Sequence, residues 1–333
     1  MINWSPIRKK LRWGWAILGF ILGFQAGEAS AESDSIARDN SYTLESALAK
    51  YRKHYPQILP RQYSAESGTL WKRDLVYGNV GERHLHLDVF RAENEATPPA
   101  PIILLVHGGG WRSGDRSLMY PLADYLATQG YVALAVEYRL SPEALYPAAV
   151  QDLRLAVQWA REHGKAFAGD PERLVFLGCS AGAQLAGLVA LTETEPVAAL
   201  INLDGVMDFT SEEARRHEDN PDKAVTAAGL WFGGRYSEKE SLWREASPLF
   251  YVDELSPPIL FINSSQPRFH VGRDEVIARL DSHGIAHQIH EFADAPHSFW
   301  LFDPWFEPTG QWILDFLEEI VRTDVAPALT PAP

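Results

Sequence analysis

Gly178-Cys179-Ser180-Ala181-Gly182 has the residue types and spacing of a serine nucleophile. The apolar run Arg173-Leu174-Val175-Phe176-Leu177 precedes it and reads as a strand, and Ala183 to Leu191 reads as a helix. A serine hydroxyl is a poor nucleophile unless it is held exposed beside a base. A sharp strand-to-helix turn holds it so by forcing the serine into a strained backbone conformation. Small residues two places before and after it then let strand and helix pass closely. Gly178 and Gly182 supply that smallness. The pentapeptide alone recurs by chance, and its flanking elements give it weight.

A second motif belongs to the same chemistry. Pro101-Ile102-Ile103-Leu104-Leu105-Val106 reads as a buried parallel strand that runs into His107-Gly108-Gly109-Gly110-Trp111. Consecutive glycines leave backbone N–H groups uncovered and allow a sharp turn. In acyl transfer such groups hold the oxyanion of the tetrahedral intermediate, each worth about 3 kcal/mol. Gly109 or Gly110, or else Trp111, is expected to donate one bond, and Ala181, just after the nucleophile, another. The competing reading is a flexible glycine turn with no partner chemistry.

On these two motifs the chain resembles an α/β-hydrolase, and within that superfamily the bacterial esterases with an HGGGW oxyanion motif. That branch holds carbohydrate esterases and feruloyl-esterase-like proteins. Glu137-Tyr138-Arg139-Leu140-Ser141-Pro142-Glu143 and Tyr146-Pro147-Ala148-Ala149-Val150-Gln151-Asp152 resemble the same group. The likeness covers roughly residues 70 to 322. It implies an α/β fold, with a mostly parallel central sheet and helices on both faces. It also implies serine ester hydrolysis with no metal or organic cofactor, but says little about substrate.

The base is expected after the last strand. His297, in Asp294-Ala295-Pro296-His297-Ser298-Phe299-Trp300, stands there. The acid breaks the commonest family pattern, which has an Asp just after the seventh strand. Here that strand, Pro258 to Asn263, runs into Ser264-Ser265-Gln266-Pro267-Arg268-Phe269-His270, with no carboxylate. The acid only fixes the histidine tautomer and stabilises the imidazolium, so its place in the chain can move. Enzymes resembling pancreatic lipase or platelet-activating-factor acetylhydrolase take it from the end of the sixth strand. Asp204, in Leu203-Asp204-Gly205-Val206-Met207, offers that arrangement, with Asp208 and Asp294 as alternatives.

The elements that must position these residues alternate. Strands are expected at Ile102–Val106, Tyr131–Tyr138, Leu174–Leu177, Val197–Leu203, Ile259–Asn263 and His287–Phe292. Helices are expected near Ser117–Gln129, Pro147–His163, Ala183–Leu191, Arg273–His283 and Thr309–Val321. Such alternation implies right-handed crossovers and a ligand site beyond the carboxyl ends of the strands. Leu75-Val76-Tyr77 and His84 to Phe90 read as antiparallel entry strands. His84 and His86 share a face of the second, and a solvated strand face explains them better than a metal site. The catalytic domain is expected over residues 71–322. Residues 209–255 interrupt the rhythm and are expected as an insertion forming a lid or substrate wall. Residues 32–70 are expected as an N-terminal extension with a helix-like patch from Leu44 to Tyr55. The proline-rich 323–333 is expected as a disordered tail.

The N-terminus reads as an export signal. Arg8, Lys9, Lys10 and Arg12 precede the apolar run Trp13 to Phe24, and Ala29-Ser30-Ala31 predicts cleavage before Glu32. The apolar run is short for a membrane span, so an uncleaved anchor is the lesser alternative. The sole cysteine, Cys179, leaves neither an intramolecular disulfide nor a lipoprotein anchor. A periplasmic or secreted protein is expected. The net charge of −14, with no basic stripe, argues against nucleic acid as a partner. It also disfavours strongly anionic polymers unless a local basic site compensates.

Arg268 and His270 occupy the loop where the usual acid would stand. They are expected either to contact a substrate carboxylate or sugar hydroxyls, or to anchor the loop. Trp111 and Trp300 are expected in the pocket wall. Asp115 and Arg116 are expected to pair and brace the oxyanion loop. The reading these features favour is removal of small acyl groups, acetyl foremost, from plant-type polysaccharides or oligosaccharides. Pectin methyl esterase, feruloyl esterase and small-molecule carboxylesterase are the enzymatic alternatives. A non-catalytic binding protein on a hydrolase scaffold is the remote one.

Overall fold

The computed structural model describes residues 39–92, 99–222 and 224–322. The expected leader over residues 1–31 and the expected tail over 323–333 lie outside them. The described chain is built on an eight-stranded sheet. Its strands are β1 (Leu70–Val80), β2 (Arg83–Phe90), β3 (Ala100–Val106), β4 (Val132–Val136), β5 (Gly169–Cys179), β6 (Ala199–Leu203), β7 (Ile259–Asn263) and β8 (His287–Glu291). Their spatial order is β1-β2-β4-β3-β5-β6-β7-β8. The two entry strands pair antiparallel, and β2 joins β4 antiparallel. From β4 through β8 every pairing is parallel. Every residue of β3, β4, β6 and β7 is buried, as unbroken apolar runs between two helical layers require.

Helices α3 (Ala148–His163) and α4 (Ala181–Thr192) cover one face of the sheet. Helices α1 (Leu44–Tyr51), α2 (Tyr120–Thr128) and α9 (Phe306–Leu317) cover the other. The apolar, small-residue sequence of α4 explains its burial along almost its whole length. Strand order reverses at β3, which has β4 on one side and β5 on the other. Crevices open beyond the carboxyl ends of strands at such a point. Val106 pairs with Gly178 across β3 and β5, so the glycine motif and the serine turn leave adjacent strand ends.

The insertion carries α5 (Glu212–Glu218), α6 (Ala227–Phe232) and α7 (Tyr236–Glu245). It packs on the core. Trp231 and Trp243 are fully buried, and the Trp231 ring stacks on Trp111 at 5.0 Å between centroids. The remaining helix, α8 (Arg273–His283), lies between β7 and β8. The N-terminal segment enters the core as well. Ala47 and Tyr51 of α1 are buried, and Leu59–Pro60 pairs antiparallel with Phe302–Asp303. No helix among the described residues is long and apolar enough to cross a membrane.

Candidate active site

Ser180 sits between β5 and α4 with φ 54° and ψ −122°, a strained conformation for a residue with a side chain. The surrounding glycines make it possible. A Cβ at Gly182 would lie 2.2 Å from the Val106 carbonyl oxygen, and one at Gly178 would lie 2.3 Å from the Gly182 carbonyl oxygen. The turn is tied to the neighbouring strand end, since Ser180 N–H donates to Leu203 O at 2.8 Å.

The residue after Leu203 is Asp204, the carboxylate that meets His297. Asp204 also adopts a positive φ of 54°, and Asn202 folds the chain there by bonding both backbone groups of Gly205. One Asp204 oxygen accepts the Ser264 N–H at 2.8 Å and the Asn263 amide at 3.2 Å. The other lies 2.9 Å from His297 Nδ1. His297 Nε2 lies 2.8 Å from Ser180 Oγ. A carboxylate only accepts, so Nδ1 carries the proton and donates to Asp204. The Nε2 lone pair then faces the serine hydroxyl. The end of β7 and the loop after it, which lacks a carboxylate of its own, thus supply the donors that hold Asp204.

The other candidate acids have other work. Asp208 accepts from the Thr210 N–H and hydroxyl and from the Ser211 N–H in a local turn. Asp294 accepts from the Tyr55 hydroxyl at 2.7 Å.

Gly109 and Gly110 line a pocket of about 250 Å³ together with Ser180 and His297. Gly109 has φ 129°, and a Cβ there would lie 1.9 Å from the Ser113 carbonyl oxygen, so the loop requires glycine. Ala181 opens α4, where the first amides of a helix have no intrahelical acceptor. The start of the loop is fixed by His107. Its ring stacks on Tyr138, and the Tyr138 hydroxyl donates to His107 O at 2.9 Å.

Several expected contacts are corrected. Trp111 is not a pocket wall. It is 5 % exposed, donates its indole N–H to Gln184 and stacks on Trp231, joining the oxyanion loop to the insertion. Trp300 is buried too and meets His297 edge-on, and it is not among the residues lining the pocket. Arg268 takes the loop-anchoring role, pairing with Glu218 at 3.2 Å and lying over the Phe269 ring. His270 meets the Ser264 carbonyl at 2.9 Å and anchors the same loop. Neither Arg268 nor His270 is among the residues lining the pocket. Asp115 and Arg116 do not pair. Asp115 caps the following turn through the Ser117 N–H, while Arg116 bonds Asp88, Glu137 and Asp74. Those bonds fix the loop to the sheet, because Asp88 lies in β2 and Glu137 follows β4. Among the described residues no His, Cys, Asp and Glu group could hold a metal ion. His86 Nδ1 meets Glu137 at 3.1 Å instead.

Two features are absent from the sequence reading. Phe269 stacks face-on upon the His297 ring, with 3.4 Å between centroids and planes 9° apart. An aromatic in the loop that lacks an acid was the only available signal. The N-terminal segment also lines the pocket, through Ser41, Tyr42, Ser46, Ala47, Lys50 and Tyr51.

Burial holds the His297 imidazole below its ordinary value of 6.5. The Asp204 bond pulls upward, and the charges of Arg268 and Lys50 push down again. A histidine base works neutral, so with His297 in that role kcat/KM should rise with pH through its pKa and level off above it. A pH–rate profile should therefore place the acid limb below pH 6.5. A limb centred above pH 7 would contradict the burial argument.

Comparison with known proteins agrees with this geometry. The chain is 30 % identical over 278 residues to esterase LipC of Mycobacterium tuberculosis, covering 76 % of this chain and 66 % of that protein. It is 28 % identical over 264 residues to esterase LipQ of the same organism, covering 73 % of this chain and 59 % of that one. The chain spans about half to two thirds of the length of the curated relatives it matches. Among solved structures, it superposes on the native thermophilic esterase Est2 of Thermogutta terrifontis with a TM-score of 0.64. That match has 22 % identity and covers 80 % of this chain and 96 % of that one. A truncated carbohydrate esterase from gut microbiota gives a TM-score of 0.62 at 20 % identity, covering 77 % of this chain and 97 % of that one. These structural likenesses show an α/β-hydrolase fold. With the BD-FAE family model matching residues 87–271, across the oxyanion motif, the serine turn and Asp204, the chain belongs to the BD-FAE family.

Proposed function

We propose that this chain is an exported serine esterase that removes small acyl groups, acetyl foremost, from plant-type polysaccharides or their oligomers. The observation that carries the hydrolytic reading is the unbroken path from Ser180 Oγ through His297 to Asp204, beside Gly109 and Gly110. The names of the relatives support ester hydrolysis. The pocket of about 250 Å³ supports a small acyl group, since sites for whole small molecules run to about 300–1,000 Å³. The sugar assignment rests on the HGGGW resemblance, and export rests on the leader read over residues 1–31.

The chemistry would run through an acyl-enzyme. His297 Nε2 takes the Ser180 proton as Oγ bonds to the ester carbonyl carbon. The carbonyl oxygen becomes an oxyanion and accepts from the amides of Gly109, Gly110 and Ala181. The carbon–oxygen bond to the sugar breaks, and His297 returns its proton to the leaving alkoxide. Water, deprotonated by His297, attacks the acyl-enzyme; acetate leaves and Ser180 regains its proton. Asp204 keeps the imidazole in the required tautomer throughout.

The test is acetate and methanol release from acetylated xylan and native pectin, with Ser180→Ala as the control. Acetate from either polymer, absent in the control, is the expected result. Methanol without acetate would replace the reading with a pectin methyl esterase. Neither product from the polymers, with small nitrophenyl esters turned over, would favour a small-molecule carboxylesterase, in line with the names of the relatives.

A further inference from the structure

The segment from Asp39 to Tyr55 clasps both loops that carry the chemistry. Asp39 pairs with Arg112 at 2.5 Å, and its carbonyl accepts from the Ser113 hydroxyl at 2.6 Å. Tyr42 N–H donates to Ser113 Oγ at 2.8 Å. These contacts hold the oxyanion loop. On the other side the Tyr42 hydroxyl bonds Ser298 Oγ at 3.0 Å, next to the catalytic imidazole, and Tyr55 bonds Asp294. Between these anchors α1 turns one face to the pocket. Ser46, Ala47, Lys50 and Tyr51 share that face at helical spacing, and all four line the pocket with Ser180 and His297. Ala47 and Tyr51 are buried, so the helix cannot rotate Lys50 away without opening the core beneath.

Lys50 is therefore a cation fixed at the pocket of an acidic chain. Its side chain is exposed, with Nζ 4.9 Å from the Tyr51 ring centroid. Among the described residues no carboxylate pairs with it. Glu45 lies off the pocket-facing stripe, and Asp294 is bonded to Tyr55. A net charge of −14 repels anionic ligands in general. A positive charge at the pocket offsets that repulsion where the substrate enters. An acetyl group bears no charge, so an anion recognised here belongs to the alcohol half of the ester. An ammonium on a flexible stem suits a carboxylate whose position varies from one sugar to the next.

We infer that Lys50 selects the alcohol half of the ester, and that the preferred substrates are acyl esters of acidic sugars whose carboxylate meets the Lys50 ammonium. This rests on the small-acyl carbohydrate reading and names its substrate class. The test compares a mono-O-acetyl methyl galacturonoside with the matching mono-O-acetyl methyl galactoside. The two share ring and ester and differ in carboxylate against hydroxymethyl.

Wild-type kcat/KM should favour the uronoside by about fivefold at low salt, the scale of one partly exposed ion pair. The preference should shrink as salt rises. In Lys50→Ala the ratio should fall to about one, in Lys50→Arg it should persist, and in Lys50→Glu it should invert. A charge that served only the C-terminal end of α1 would change both sugars alike and leave the ratio standing. Acetate release from both sugars at equal wild-type efficiency, or a preference that survives Lys50→Ala, would overturn the inference and leave the esterase reading intact. No acetate from either sugar, with 4-nitrophenyl acetate still hydrolysed, would overturn the carbohydrate reading and the inference with it.

Discussion

Ser180→Ala should lower kcat by about a millionfold, to the level left by binding and the oxyanion amides alone. The substitution removes one oxygen and nothing else. The turn keeps its strained φ, because the Ser180 N–H bond to Leu203 and the Gly178–Gly182 approach do not involve the hydroxyl. The protein should therefore fold as before, with an unchanged circular dichroism spectrum. His297 then has no hydroxyl to deprotonate, and no acyl-enzyme can form. Steady-state hydrolysis of 4-nitrophenyl acetate measures the loss. A residual rate within a hundredfold of wild type would mean that another group performs the attack.

Asp204→Asn should lower kcat by about ten-thousandfold. The amide oxygen can still accept from the Ser264 N–H, so the shape of the site survives. The amide nitrogen then faces His297 Nδ1 and offers a proton to it. The imidazole switches tautomer, Nε2 carries the hydrogen, and no lone pair remains for the Ser180 hydroxyl. The loss is one of protonation state and not of packing, which separates it from simple destabilisation. Turnover within a few-fold of wild type would remove Asp204 from the relay. The effects of Ser180→Ala and Asp204→Asn should not multiply, since the two residues act on one proton transfer.

Much of this arrangement could be read in the sequence because it is local. The serine turn and the glycine loop are each written in one short run flanked by its own strand. The alternation of apolar strands and helices fixes which ends those runs occupy. Asp204 and His297 required the sheet order, since they stand on different strand ends; Asp204 follows a buried, mostly apolar strand, while His297 follows the mostly polar last strand, His287–Glu291. What stayed hidden is what the chain brings together from far apart. Phe269 reaches His297 only because β7 and the last loop are neighbours. Trp111 looked like a pocket residue because it follows the oxyanion glycines. Its indole instead finds Gln184 and Trp231, one on α4 and one in the insertion. Arg268 stayed open between ligand contact and loop anchor because its partner Glu218 lies in the insertion, distant in sequence. The pocket-lining role of α1 had no sequence signal beyond amphipathic spacing, which any packed surface helix shows.

The most direct test of the central claim is peptide mapping of the protein after treatment with a fluorophosphonate, which captures only a serine activated by a neighbouring base. The expected result is a single adduct on Ser180, lost in Ser180→Ala and strongly slowed in Asp204→Asn. An unlabelled protein, or an adduct on any other residue, would contradict the assignment and leave a hydrolase scaffold without its nucleophile.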